Sequence, residues 1–521
     1  MKKRIVSMLM VGTMLATMFA GCGSSAGEGS SGSTSNGGSS AAGTETKTAE
    51  AEGDPVKIVM ESLYFDATPT DLEAVEAAIN EITIPAINVE VELYPLPFME
   101  AASKVGLMIS GQEQIDLVVN AARTDYLALV NKNMLLPLDE LYEQYGADIK
   151  ANAEDVIPGG YVGDELYGIP SIEKYGRTFG LIVKKEVTDA IGWTKFDDLT
   201  LEDMSDFLAQ AKAAFPDKNI IHITGGGNNI ADFEYFNQID YVGADAACGG
   251  IMGIGKDSGS TLVNVFETDE YAEYCKTMRE WFLAGYFNDD CATNTDPAAT
   301  AITSGTAVGY FLQTELDMVP GQSGANGCEM VALNTRPHSF VMSDINTATW
   351  SIPYTCENPE KAMELLNLMW SNEDLINLIY YGVEGLDYQL NDQGQVAYLD
   401  GQNAQTCGYR QWFGLYGNTQ MRLTADTLPV DYHEQLMAFN TDVNDDNTSQ
   451  FMGYSFNPDE MKSQYSAVND VIKTYRTALE CGAVDPEVEL PKFIEALKTA
   501  GIDEIIAQNQ SELDAWIAAQ Q

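Results

Sequence analysis

The chain has 521 residues, a formal net charge of −50 and 45% hydrophobic residues, enough for about three domains and a buried core. Such a charge excludes binding to a phosphate backbone, which depends on Lys and Arg, and docking on anionic lipid through a basic face. Three histidines, His222, His338 and His433, leave little material for a His-rich metal centre.

Met1-Lys2-Lys3-Arg4 is a basic start, and Ile5 to Ala20 is an apolar run of 16 residues, shorter than a transmembrane helix needs. With Ala20-Gly21 behind it, this reads as a secretory signal peptide over residues 1–21. Phe19-Ala20-Gly21-Cys22 resembles a bacterial lipobox with Phe in place of the usual Leu. Cys22 is therefore expected to carry lipid, and two acyl chains are about what stable anchoring requires. Gly, Ser, Ala, Thr and Glu dominate residues 23–54. Residues 22–54 are read as a flexible low-complexity tether with a reach of about 30 Å. Of eight cysteines, seven remain once Cys22 is lipidated, so at least one thiol stays unpaired. No CxxC or CxxxC spacing occurs. Free, mostly buried thiols are expected, with room for one or two disulfides.

Order begins at Pro55. Val56-Lys57-Ile58-Val59-Met60 reads as a strand. Thr70-Asp71-Leu72-Glu73 fits a capping box, followed by Leu72, Val75, Ile79 and Ile82 at helical spacing. Ile87, Val89, Val91 and Leu93 alternate with polar residues as a half-buried strand; Met99 to Ile109 reads as a helix and Ile115 to Val119 as a buried strand. This β-α-β-α-β order predicts a doubly wound α/β domain, with ligand beyond the C-terminal strand ends, at Tyr64-Phe65 and Asn120 to Asp125. A helix is expected over Asp198 to Phe215, with Thr200 and Asp203 at its start, and a strand over Ile220 to Thr224 running into Gly225-Gly226-Gly227-Asn228. Helices are expected from Thr268 to Leu283 and from Pro359 to Met369, then a hairpin around Asn391-Asp392-Gln393-Gly394. Three helices close the chain: Pro458 to about Cys481, Pro491 to Ala500, and Ile502 onward.

Several catalytic patterns nearly appear. Gly250 to Lys256 fits GxxxxGK, but Asp257 replaces the Mg²⁺-binding hydroxyl. Gly321 to Ala325 lacks the last Gly of GxSxG. Asp442, Asn444 and Asp446 begin like a calcium loop, yet Asn447 and Gly453 stand where Gly and Glu are required. His433-Glu434 has Met437 in place of the second His of HExxH. With 78 acidic residues, no carboxylate pair stands out for glycosidase chemistry. No metal, cofactor or catalytic residue is expected. What remains are aromatic and polar residues at loop or strand-end positions, above all Trp350 and Trp412, whose faces can stack on a sugar ring while polar neighbours bond its hydroxyls.

Several stretches carry a family resemblance: Ile115-Asp116-Leu117-Val118-Val119, Asn133 to Leu141, Asp164 to Pro170 followed by Gly180-Leu181-Ile182-Val183, and Asn358-Pro359-Glu360-Lys361-Ala362. In these the chain resembles the substrate-binding lipoproteins of bacterial ABC importers, extracellular solute-binding family 1, mostly of sugar type. Gly453 to Pro458, Leu479 to Gly482, Leu490-Pro491, Ala500-Gly501-Ile502 and Leu513 to Trp516 are similar to a subgroup that ends in a helical domain of uncharacterised role. Lys184-Lys185 departs from the family's usual Asn-Lys. The resemblance implies an α/β, two-lobed periplasmic-binding-protein-like fold. It implies a two-lobed domain over residues 55–450, a first hinge crossing near 167–180, and a helical C-terminal domain over 451–521. A carbohydrate, more narrowly an oligosaccharide, would bind in the interlobe cleft, and hinge closure would present it to a membrane permease. The expected protein is a lipid-anchored monomer on the extracellular face of the cell membrane. Other readings stay open: the same scaffold for a peptide or another small solute, or an anchored glycan-processing enzyme. Candidate cleft residues are Tyr64, Phe65, Asn120, Arg123, Tyr167, Glu173, Asn228, Gln313, Trp350, Tyr381, Glu384 and Trp412.

Overall fold

The computed structural model describes residues 53–520, apart from 65–67, 122, 172–173, 225–231, 244, 342–343, 345–347, 404–405, 412–414, 444–445 and 455, and apart from the side chains of 123, 124 and 459. The β-branched and apolar run at the start extends as β1 (Val56–Tyr64). α1 (Leu72–Ile87) buries Val75 and Ile79 against the sheet. β2 (Val89–Pro97) lies parallel to β1, with Val56 opposite Val89 and Tyr64 opposite Pro97. α2 (Phe98–Gly111), β3 (Val118–Asn120), α3 (Arg123–Asn131) and α4 (Asp139–Tyr145) follow, which is the expected alternation. The capping box at Thr70 does not form. Asp71 is the cap residue without a side-chain bond, and the amides of Thr70 and Asp71 donate instead to the Gly408 carbonyl at 2.8 and 3.2 Å.

The hairpin of β4 (Tyr161–Val162) and β5 (Glu165–Leu166), then β6 (Ile169–Pro170), end the first passage. β7 (Phe179–Lys184) opens a second region. α5 (Leu201–Ala214) starts on a complete capping box, in which Thr200 accepts from the Asp203 amide and Asp203 accepts from the Thr200 amide at 2.9 Å. α6 (Asp269–Leu283) is capped by Thr268. β8 (Gly309–Gln313) and β9 (Met330–Asn334) flank β7, both antiparallel to it. The strand expected over Ile220 to Thr224 is only a pair of isolated bridges, Asn219 to Ala307 and Ile221 to Phe287.

β10 (Thr349–Ser351) returns to the first region and pairs antiparallel with both β3 and β6. α7 (Pro359–Leu368) and the expected hairpin, β11 (Gln389–Leu390) with β12 (Val396–Ala397), come next. Three helices end the chain: α8 (Lys462–Glu480), α9 (Pro486–Ala500) and α10 (Ile502–Ala519). α9 starts earlier than the expected Pro491. The Asp485 carboxylate caps the Glu487 amide at 3.0 Å and Pro486 occupies the first turn, where its missing N–H costs nothing.

Two hydrophobic cores result. The first joins β1, β2, β3, β6, β10 and α7, and includes Ile58, Leu93, Ile169, Trp350 and Leu366. The second joins β7, β8, α5 and α6 with one face of each C-terminal helix, through Val468, Ile472, Phe493, Leu497, Ile505 and Leu513. Phe493 packs on Phe266 with ring centroids 4.9 Å apart. Each such buried side chain contributes about 1.5–3 kcal/mol, so the C-terminal helices complete the second lobe rather than hang beside it.

The chain passes between the cores three times, and the crossings are knitted together. Arg177 and Ser339 exchange backbone hydrogen bonds of 2.8 and 3.2 Å. The Phe340 amide donates to Asn447 O at 2.9 Å, and the Ser449 amide to Phe340 O at 2.8 Å. Tyr175 stacks on Phe340 with centroids 5.4 Å apart, and its amide donates to Asn440 Oδ1 at 2.8 Å. Gly176, at φ +89°, sits at the tightest approach; a Cβ there would fall 2.1 Å from Ser339 O. The cysteines of the described residues are free thiols, five of them buried.

Candidate ligand-binding site

β1 and β3 start as neighbours and then part. Near the base of the sheet the Leu117 amide donates to Val59 O at 3.1 Å and the Glu61 amide to Leu117 O at 2.9 Å. Beyond that point the Val119 amide is met by the Glu61 side chain, at 2.8 Å from Oε2, where a strand carbonyl would normally serve. Asn120 donates its amide to Thr349 O at 3.1 Å and to Ser351 Oγ at 3.2 Å, which fixes β3 to β10. The divergence leaves a trough of about 840 Å³ at the C-terminal strand ends, walled by α2 and α3 and lined by residues that include Glu61, Leu63, Phe98, Asn120 and Asp125. This is where ligands sit in doubly wound sheets.

Glu61 is the unusual group. Its side chain is fully buried, and Oε1 has no hydrogen-bond partner among the described residues. Burial pushes its carboxyl up to about 8, against the pull of the Val119 amide. Near neutral pH it therefore keeps its proton. Burial also raises the Asp125 carboxyl. Apolar walls with a few fixed polar groups are the usual make-up of a small-molecule site. A single carboxylate inside an apolar strand was the sequence signal for Glu61, and strand periodicity alone passes over it.

The expected site residues fall into three groups. Tyr64 and Asn120 stand at the C-terminal ends of β1 and β3, Tyr64 half-buried and Asn120 buried; Gln313, half-buried, ends β8 on the other lobe. Arg123 begins α3, with its side chain outside the described residues, as are Phe65, Glu173, Asn228 and Trp412. Tyr167 donates its hydroxyl to Glu165 at 2.6 Å, which holds its own ionisation up at about 12. Glu384 is exposed in the turn after Gly382.

Two expectations are corrected. Trp350 lies in the middle strand of the β3–β10–β6 sheet, wholly buried, with its indole N–H donating to Leu415 O at 2.7 Å and its ring against Tyr416. Tyr381 is buried as well, and its hydroxyl donates to Leu423 O at 2.6 Å. Both rings pack the first core and present no free face to a sugar. Among the described residues no group of three His, Cys, Asp or Glu side chains is placed to hold a metal ion.

Residues 77–383 match the family model of the bacterial extracellular solute-binding proteins, and residues 450–518 match a domain of unknown function. A carbohydrate ABC transporter substrate-binding protein of Streptococcus pneumoniae is 25% identical over 489 residues, 91% of this chain and 93% of its own. Among solved structures, the N-glycan transport solute-binding protein of Streptococcus pneumoniae is similar with a TM-score of 0.75 at 22% identity, covering 89% of this chain and 100% of that one. Its complexes with Man1GlcNAc and Man5GlcNAc score 0.67 and 0.65, each at 21% identity with 89% of this chain and 99% of theirs covered. An HMO-binding, ABC-transporter-associated solute-binding protein from Bifidobacterium longum infantis scores 0.61 at 13% identity, covering 89% of this chain and 99% of that one. With two lobes, three hinge crossings and a family match over more than half its length, this chain belongs to the bacterial extracellular solute-binding proteins.

Proposed function

We propose that this protein is the carbohydrate-capturing component of an ABC importer, taking an oligosaccharide between its lobes and delivering it to the permease subunits. The trough at the ends of β1 and β3 carries this reading. It joins apolar walls to the Glu61 carboxyl at its base, and three hydrogen-bonded crossings would let the second lobe close over it. The proposal assigns cleft contacts to Tyr64, Asn120 and Gln313, and adds Glu61. Cys22, lipidated before the signal is cleaved, would hold the protein as a monomer on the extracellular face of the membrane. No bond in the solute changes; closure is favoured only by contacts absent from the open form.

The relatives support the sugar class, since carbohydrate transport or sugar complexes are what they are described by. The apolar lining of the trough favours a second reading, a peptide ligand on the same scaffold.

A thermal-shift screen of mono- and oligosaccharides, peptides and vitamins tests both. An oligosaccharide is expected to raise the melting temperature saturably, as ligand linkage requires. Silence across sugars with a clear shift for a peptide overturns the carbohydrate assignment.

A further inference from the structure

The C-terminal helices build a cavity with the first lobe that shares no residue with the trough. It measures about 440 Å³; its lining includes Tyr142, Pro158, Tyr161 and Asp164 from the first lobe, and Gly453 and Trp516 from the C-terminal segment. Tyr142 belongs to α4, Tyr161 opens the β4–β5 hairpin, Asp164 sits in its turn, and Trp516 lies in the last turns of α10. The three rings are half-buried, and Lys150 Nζ lies 5.1 Å from the Tyr142 ring centroid. Trp516 is held edge-on against Tyr454, centroids 5.8 Å apart and planes at 65°. Gly453 adopts φ +94°, and a Cβ there would lie 3.5 Å from Pro158 and 3.9 Å from Trp516; glycine keeps the space between the walls open. Glu154, also lining the cavity, and Asp164 are exposed and have no ion-pair partner among the described residues.

Half-buried aromatic rings beside exposed carboxylates suit one ligand chemistry well. A pyranose packs its C–H face on a ring, while its hydroxyls donate to carboxylate oxygens in charge-assisted hydrogen bonds. The volume lies within the range of ligand sites and leaves room for about one or two sugar rings. We propose that this cavity is a second carbohydrate-contact site, holding one or two pyranose rings of a glycan between Tyr161 and Trp516. Because one wall rides on the first lobe and the other on helices packed into the second, an occupied cavity ties the two lobes together. Asn131 and Asn457 already join the same two parts through reciprocal amide hydrogen bonds of 3.2 and 2.7 Å.

The proposal rests on the carbohydrate reading above, and the two fail differently. The full chain, labelled with 5-fluorotryptophan at its six tryptophans, is titrated with maltotetraose, mannotetraose and chitotetraose, and with choline as a cationic control; Trp516→Phe identifies the Trp516 resonance. At least one tetrasaccharide is expected to move that resonance saturably. Tyr161→Ala should weaken the movement at least tenfold. Glu154→Gln with Asp164→Asn, both at exposed positions that leave folding intact, should weaken it several-fold. Sugars that raise the melting temperature while the Trp516 resonance stays still overturn this site alone. Choline moving it where no sugar does overturns the ligand class. No response to any sugar, in melting or in fluorine spectra, overturns the carbohydrate reading and this site with it.

Discussion

Arg476 in α8 ion-pairs with Asp232, 244 residues earlier in the chain, and so pins the second lobe to its C-terminal helix. The same guanidinium donates from Nε to Glu480 at 2.9 Å, and Glu480 also accepts from Tyr271 at 3.2 Å. Asp232 in turn caps the short turn Phe233–Tyr235. Removing the cation leaves two buried carboxyl groups without a counter-charge, which costs about 3–5 kcal/mol. Arg476→Leu is therefore expected to lower the urea midpoint sharply. Adding Asp232→Asn and Glu480→Gln to that variant should restore at least half of the loss, because the stranded charges are gone. A triple variant as unstable as the single one contradicts this account.

Glu61 makes stability depend on pH. Its carboxyl is raised in the folded chain to about 8 from an ordinary value of 4.5, so the proton favours folding. That contribution is complete below about pH 4.5 and is lost as the pH rises to 8; it amounts to as much as about 5 kcal/mol. Urea titrations at pH 5 and pH 8 should show the wild type weakening more than Glu61→Gln, whose amide carries no charge to bury. Equal slopes for the two proteins would refute the role given to Glu61.

Trp350 is a core residue, and its replacement should act on stability before binding. Trp350→Ala is expected to cost about 3–5 kcal/mol, from the cavity and from the stranded Leu415 carbonyl. Trp350→Phe should cost less and leave the affinity for sugar within about threefold. Calorimetry on the phenylalanine variant decides the point, and a loss of affinity beyond tenfold with an intact melting transition restores a stacking role.

At the hinge, Gly176→Ala drives a Cβ into Ser339 O in a positive-φ conformation. The Arg177–Ser339 pair cannot survive it unchanged. A loss of about 2 kcal/mol or more is expected. Small-angle scattering should show a wider spread of lobe separations without ligand. Wild-type scattering and stability for the variant would mean that the crossing tolerates the methyl group.

Much of the first lobe was legible because its signals are local. β1, α1, β2 and α2 follow from alternation and helical spacing, and Thr200–Asp203 from capping chemistry. The failures have a shared cause, which is that distant partners decide. Thr70 gives up its capping role because Gly408 reaches it first. Ile220 to Thr224 reads as a strand, yet only single bridges to Ala307 and Phe287 are available to it. Trp350 looks like a loop aromatic until β3 and β6 close on either side of it. Glu61 could be noticed as a charge in an apolar strand, but its orphaned oxygen depends on β3 parting from β1, a tertiary event.

The second core has a consequence for how the protein is made. It draws Leu181, Phe266 and Tyr271 from the middle of the chain and Phe493, Ile505 and Leu513 from its last thirty or so residues. An exported chain emerges amino end first. Its second lobe cannot complete its core until Phe493, Ile505 and Leu513 are in place. A chain that lacked those last residues would keep Phe266 and Tyr271 uncovered.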